Sequence, residues 1–217
     1  MQETTLPIKG YRGEMVPNRF FLQDGDVSHL AIVLPGYGYN CDMPLLYFTV
    51  SHLLDQGAEV LQVDYDYSRL PAYRALDAEE RQRWLVADVT AACQAALAQR
   101  EYQRITLIGK SLGTRAMAHL LTTEEALQSA ATVWFTPPWH EEPVHACLLA
   151  ARQPALVVIG TADLYYDPEL IAEIGRAING ELVVVADAEH GLEVTGDVVR
   201  SVQAVEQAIR AVQRFIA

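Results

Sequence analysis

Six short apolar runs rich in β-branched residues, most of them far enough apart to fit a helix between, constrain this chain more than any other feature. They are His29–Leu34, Ala58–Asp64, Arg104–Ile108, Ala131–Phe135, Ala155–Ile159 and Glu181–Val185. Each has strand length and is continuous in hydrophobicity rather than alternating, as a strand buried on both faces must be. Between them, Leu85, Val89, Ala92, Cys93, Ala96 and Leu97 recur at helical spacing. Leu170, Ile171, Ile174 and Ile178 do the same behind an Asp167-Pro168 helix start. Val198, Val202, Val205, Ile209, Val212 and Ile216 follow Gly196-Asp197 at steps of four and three, which predicts a docked terminal helix. Strands separated by helices predict an α/β fold, a doubly wound and mostly parallel sheet with helices on both faces. Arg19–Gln23 followed by Asp24-Gly25-Asp26 predicts an antiparallel edge hairpin at the N-terminus. No repeat, low-complexity tract or linker interrupts the pattern, so residues 1–217 read as one domain.

Composition then narrows the function. Half of the residues are hydrophobic (51%) and 20% are charged, a balance that suits a compact fold rather than a disordered chain. Sixteen Lys and Arg against 28 Asp and Glu give a net charge of −12, which argues against nucleic acid or an anionic membrane surface as a partner. No apolar run approaches the roughly 18–20 residues needed to cross a bilayer, and the first residues lack a basic and apolar leader, so a cytoplasmic location is expected. Cys41, Cys93 and Cys147 are widely spaced with no Cys-x-x-Cys pair, so neither a disulfide framework nor a zinc site is expected of them.

The chemistry is concentrated in Gly109-Lys110-Ser111-Leu112-Gly113, where the run Ile105–Ile108 gives way to a helical stretch. A serine hydroxyl becomes a useful nucleophile when it is lifted out of the sheet, set beside a base and faced by amides that can hold an oxyanion. A sharp strand-to-helix turn does the lifting, and it brings the residues two before and two after the serine so close that glycine is required. With six serines and 13 glycines in 217 positions, about 0.02 such matches arise by accident. The helix that follows points unsatisfied N–H groups at the serine, which makes the amide of Leu112 the first expected oxyanion donor.

Base and acid should come from loops after later strands. Gly160-Thr161-Ala162-Asp163 follows one run and Ala186-Asp187-Ala188-Glu189-His190-Gly191 the next, which places Ser111, Asp163 and His190 in that order. His29 begins a strand, His52 and His119 fall within helices, and His140 and His145 lie in a short insertion, so His190 is the favoured base. Asp163 competes with Asp167, better explained as a helix cap, and with Asp187, only three residues from the histidine. The second oxyanion donor should come from Pro35-Gly36-Tyr37-Gly38-Tyr39-Asn40, most naturally the amide of Tyr37. A rival reading makes Gly36-x-Gly38 a dinucleotide loop with Asp64 on a ribose. It lacks a third glycine, Cys41 standing in that place, and it leaves Ser111, Asp163 and His190 without a role.

The elbow at Ser111, the later Gly160-Thr161-Ala162-Asp163 and the terminal Glu189-His190-Gly191 resemble the α/β-hydrolase superfamily in its small, cap-less serine-hydrolase form, over about residues 29–216. That resemblance implies Ser111 as nucleophile, His190 as general base, Asp163 as orienting acid and no cofactor. One departure is Pro35-Gly36 where many lipases and esterases have His-Gly. Larger relatives insert a cap after the strand that here ends near Thr136, whereas this chain offers only Pro137 to Pro154, enough for one short helix over an open site.

Gly36, Tyr39, Tyr65, Trp139, His140 and Tyr165 are expected to line the pocket, with Tyr37, Tyr67 and Tyr166 completing an aromatic ring suited to a small acyl group. Glu141, Glu142, Asp167, Glu189 and Glu193 fall on the same face and disfavour polyanionic substrates unless Lys110 or Arg115 offsets them. The expected activity is hydrolysis of a small carboxylic ester, or a thioester or amide, through an acyl-enzyme. Acyl transfer or carbon–carbon cleavage by the same residues is a variant of it. The competing expectation is a catalytically inactive hydrolase fold that binds a ligand or acts as a scaffold.

Overall fold

The computed structural model describes residues 1–216. In chain order the elements are β1 (Gln2–Thr4), β2 (Asn18–Leu22), β3 (His29–Leu34), α1 (Pro44–Asp55), β4 (Glu59–Val63), α2 (Pro71–Arg74), α3 (Ala78–Leu97), β5 (Arg104–Lys110), α4 (Leu112–Thr123), β6 (Ala131–Phe135), α5 (Glu142–Ala150), β7 (Pro154–Gly160), α6 (Pro168–Ala177), β8 (Asn179–Val185) and α7 (Val198–Ile216). The strands form one sheet in the order β1-β2-β4-β3-β5-β6-β7-β8, parallel from β4 through β8 and antiparallel at the β1-β2 edge.

The six apolar runs are the six parallel strands, and their two faces are covered by different helices. Leu85, Val89 and Ala92 of α3, Ala116 and Leu120 of α4, Val144 of α5 and Ile174 of α6 close one side. Leu45, Leu46 and Leu53 of α1 with Ala204, Ala208 and Val212 of α7 close the other. Side chains at i, i+4 and i+7 bring each helix down on one stripe, and removing these apolar surfaces from water is the main favourable term in the fold.

Two local expectations are altered. The turn at Asp24–Asp26 does not join neighbouring strands. It leads from β2 to β3, which lie on opposite sides of β4, and β2 is hydrogen-bonded to β1 and β4 instead. Asn18 explains why the edge forms there. Its amide donates to the carbonyls of Leu6 and Val16, both at 2.9 Å, and its carbonyl oxygen accepts from Leu6 N, pinning the chain that precedes β2. On α7 the docked face is carried by Ala204, Ala208, Ala211, Val212 and Ile216, while Val198 and Val202, which the sequence spacing assigns to that face, are exposed. Three alanines in register allow closer approach than the valines would, so the helix settles on its small-residue stripe.

Between β6 and β7 the chain makes only α5 and the turn before it, packed against α4 and α6. No helix among the described residues is long and apolar enough to cross a membrane.

Candidate active site

Ser111 occupies the junction of β5 and α4 with φ 51° and ψ −109°, a backbone state that a side chain rarely adopts and that the neighbours must enforce. They do so by proximity. A Cβ on Gly109 would lie 2.8 Å from the backbone of Gly113, and a Cβ on Gly113 would overlap the Leu34 carbonyl and lie 2.9 Å from Pro35 O. The turn is closed by Ser111 N donating to Phe135 O at 3.0 Å and Thr114 N donating to Ser111 O at 2.8 Å. Its side chain therefore stands at the carboxyl edge of the sheet.

His190 and Asp163 arrive from the two loops that follow β8 and β7, and those loops are laced together. Ala162 N donates to Ala188 O at 3.0 Å, and Asp187 N donates to Thr161 Oγ1 at 2.8 Å. Gly160 makes the approach possible, since a Cβ there would overlap Ala188 O. Within this frame His190 Nδ1 lies 2.9 Å from Asp163 Oδ2, and His190 Nε2 lies 2.8 Å from Ser111 Oγ. The Asp163 side chain is fully buried, and its other oxygen accepts from Tyr165 N at 2.9 Å. An ionised carboxylate only accepts, so Nδ1 carries the ring hydrogen and Nε2 is left free to accept from the serine hydroxyl. The Tyr165 ring meets the imidazole edge-on at 5.4 Å, fixing the ring plane. Asp167, the first competing acid, caps α6 by accepting from Glu169 N and Leu170 N, and Asp187, the second, pairs with Arg200 at 2.6 Å.

Opposite the serine, Gly36 N donates to Tyr39 O at 2.9 Å and Gly38 turns through φ 78°, folding residues 36–39 into a tight loop. The amides of Tyr37 and Leu112 donate to no acceptor among the described residues, the latter because it opens α4.

Lys110, next to the nucleophile, points the other way. It is 1% exposed, its Nζ donates to Thr136 Oγ1 at 2.6 Å and lies 5.1 Å from the centre of the Tyr39 ring. Burial pushes its pKa down to about 7, with the Asp163 carboxylate opposing. The unfolded chain keeps this proton up to the ordinary value of 10.5, so between about 7 and 10.5 the unfolded state binds more protons and the lysine's contribution to stability rises with pH. Lys110→Met is expected to gain most over the parent below pH 7, with the gain shrinking across that window. Thermal unfolding of both proteins over a pH series checks it.

The cleft beside Ser111 encloses about 290 Å³ and is bordered by Tyr37, Leu112 and Tyr165 among the residues expected there. Tyr39, Tyr65 and Trp139 do not border it. They are buried, and each uses its one polar atom to brace the main chain: Tyr39 Oη accepts from Leu45 N at 3.1 Å, Tyr65 Oη donates to Pro35 O at 2.8 Å, and Trp139 Nε1 donates to Tyr165 O at 2.6 Å. Large apolar rings with a single satisfied polar atom gain more inside the fold than around an open cleft. Tyr67 likewise stacks between Tyr65 and Tyr73, at 4.5 and 4.2 Å. Gly36 is buried beneath the loop. His140 is exposed, 3.6 Å from Asp167, with its ring 6.2 Å from that of Tyr165, outside the cleft lining.

The remaining walls come from residues that carry no motif: Tyr73, Arg81, Gln82, Arg115, Pro138 and Glu141. Of the acids expected to bias this face, Glu141 is neutralised by Arg115 at 2.6 Å. Among the described residues no three His, Cys, Asp or Glu side chains are close enough together to hold a metal ion.

Residues 29–217 match the model of a family described as an alpha/beta hydrolase domain. No curated protein sequence matches the chain. Among solved structures it is similar to Est1E from Butyrivibrio proteoclasticus with ferulic acid bound, at 14% identity and TM-score 0.74 over 98% of each chain. It is also similar to a serine hydrolase without a lid from Xanthomonas campestris, at 19% identity and TM-score 0.68 over 96% of this chain and 94% of that one. The esterase domain of a Rhodothermus marinus protein aligns over the whole of both chains at 19% identity and TM-score 0.65. At these identities the likeness is one of fold.

Proposed function

This chain belongs to the alpha/beta hydrolase family, and from that premise we propose that it is a serine hydrolase that cleaves a small carboxylic ester, or a related thioester or amide, through an acyl-enzyme. The observation that carries the reading is the unbroken relay from Asp163 Oδ2 to His190 Nδ1 at 2.9 Å and from His190 Nε2 to Ser111 Oγ at 2.8 Å, ending on a strained elbow. Ser111 Oγ attacks the substrate carbonyl carbon as its proton passes to Nε2. Asp163 holds the tautomer and stabilises the imidazolium that forms. Negative charge on the carbonyl oxygen is met by the amides of Leu112 and Tyr37, an interaction worth roughly 3–4 kcal/mol per donor in comparable sites. The carbon–oxygen bond to the leaving group then breaks, with the Nε2 proton going to the departing alkoxide. Water, deprotonated by the same imidazole, attacks the acyl-enzyme and returns Ser111 and the free acid.

The shortness of the segment between β6 and β7, which holds only α5, supports a small substrate, and three buried free thiols suit a reducing cytoplasm. On this proposal the protein is one domain acting on a small acyl substrate. A fluorophosphonate probe tests the reading: peptide mass spectrometry should find one adduct, on Ser111, in folded protein and none after denaturation. A folded protein that stays unlabelled would instead point to an inactive ligand-binding descendant of the fold.

A further inference from the structure

Resting on the reading of Ser111 as the nucleophile, we infer that the cleft selects an ester that carries one carboxylate, and that Arg81 is the residue that reads it. Three charged side chains border the cleft: Arg81, Arg115 and Glu141. Arg115 and Glu141 cancel one another at 2.6 Å. Arg81 has no acidic partner among the described residues. Its Nε donates to Tyr73 O at 3.2 Å and its Nη2 to Arg74 O at 2.5 Å, the carbonyls at the end of α2, and its guanidinium lies 5.9 Å from the centre of the Tyr73 ring. These contacts aim the group and leave its charge in place.

The acids nearest to it in sequence are engaged elsewhere. Asp77 caps α3 through Glu80 N, Glu79 pairs with Arg83, and Glu80 is shared by Tyr11, Arg12 and Arg83. The cleft therefore carries a net positive charge of one in a chain of net −12. A single guanidinium attracts a monoanion, while the surrounding negative field repels a polyanion.

Tyr73 supplies an independent observation. It is 4% exposed, it borders the cleft, and its hydroxyl has no hydrogen-bond partner among the described residues, although Arg81 and Arg115 both bear on it electrostatically. The oxygen is not sealed from solvent, so it stands open to the cleft and can donate to a group bound there. Tyr37 and Gln82 border the same space, and neither side chain has a hydrogen-bond partner among the described residues. Hydroxyl and amide groups that can donate, set around one unpaired cation, suit an acceptor-only group such as a carboxylate.

The test compares ester pairs that differ only in charge. 4-Carboxyphenyl butanoate against 4-carbamoylphenyl butanoate places the charge on the alcohol side. Mono-p-nitrophenyl adipate against its adipamate analogue places it on the acyl side. In one pair the carboxylate should have a kcat/KM at least about tenfold higher, carried by KM and shrinking as salt is raised. Arg81→Gln should bring that ratio to about one, Arg81→Lys should keep part of it, and Glu141→Gln should raise it by freeing Arg115. Equal turnover of both members of both pairs, or a ratio that ignores Arg81→Gln in folded protein, would overturn the inference while leaving the hydrolase reading intact. No turnover of any ester together with no fluorophosphonate adduct would remove the premise and the inference with it. Should Arg81→Gln not fold, Arg81→Lys and Glu141→Gln still move the ratio in opposite directions, and a failure to do so counts against the inference.

Discussion

Asp163→Asn is expected to lower kcat for any ester the protein cleaves by about 10³–10⁴-fold while leaving the fold intact. The size follows from which hydrogens the site can hold. One oxygen of Asp163 accepts from Tyr165 N at 2.9 Å and the other faces His190 Nδ1, in a pocket where the side chain is fully buried. An asparagine in the same place must offer its carbonyl to the Tyr165 amide, because a buried donor left unpaired is costly. Its NH₂ then faces Nδ1, which must accept. The ring hydrogen moves to Nε2, which now donates to Ser111 Oγ instead of accepting from it, and the serine loses its base. Steady-state kinetics beside circular dichroism checks the outcome. A fall of less than about tenfold would mean that the carboxylate does not set the tautomer.

Gly113→Ala is expected to destabilise the protein by about 3 kcal/mol or more and to abolish most turnover in whatever remains folded. A methyl there would overlap the Leu34 carbonyl and press on Pro35 O, both main-chain atoms with no rotamer to yield. Relief requires α4 to back away from the end of β3. That movement takes the Leu112 amide with it, and it displaces Pro35, which Tyr65 Oη holds at 2.8 Å beside the Tyr37 loop. Both oxyanion donors shift at once, so stability and catalysis should fall together. Chemical denaturation at equilibrium, with kinetics on the soluble fraction, measures both. The same substitution at the exposed Gly25, where an added methyl would meet nothing within 4 Å but φ is 83°, gives the cost of backbone strain alone for comparison.

How much of this is legible in the sequence depends on whether a residue's role is set locally. The six parallel strands are readable because each is buried on both faces and so carries an unbroken apolar run. Ser111 is readable because the steric demands of its turn fall on fixed neighbours, Gly109 and Gly113. Asp163 and His190 are readable as residues just past strand ends, where a parallel sheet gathers its loops. The walls of the cleft are not. Tyr73, Arg81 and Gln82 come from α2 and the start of α3, brought to the site by the path of the chain after β4, and nothing in their spacing announces it. The tyrosines and Trp139 mislead because a loop aromatic reads as surface, whereas an aromatic near a strand end can fold inward once its polar atom finds a main-chain partner, as in Tyr39, Tyr65 and Trp139. The pairing of β2 with β4 depends on the clamp at Asn18, a long-range contact with no periodicity of its own.

The triad candidates hang from the ends of β5, β7 and β8, and β6 is the spacer that separates the first from the other two. A slip of one residue along any of these ladders would carry a strand end by about 3.3 Å, farther than the whole span of either link in the relay, 2.8 and 2.9 Å. Positional tolerance at the reacting atoms is thus inherited from main-chain registration several residues upstream. A defect in β6, which lends no side chain to the reaction, would reach the chemistry as an alignment error before it reached the melting temperature.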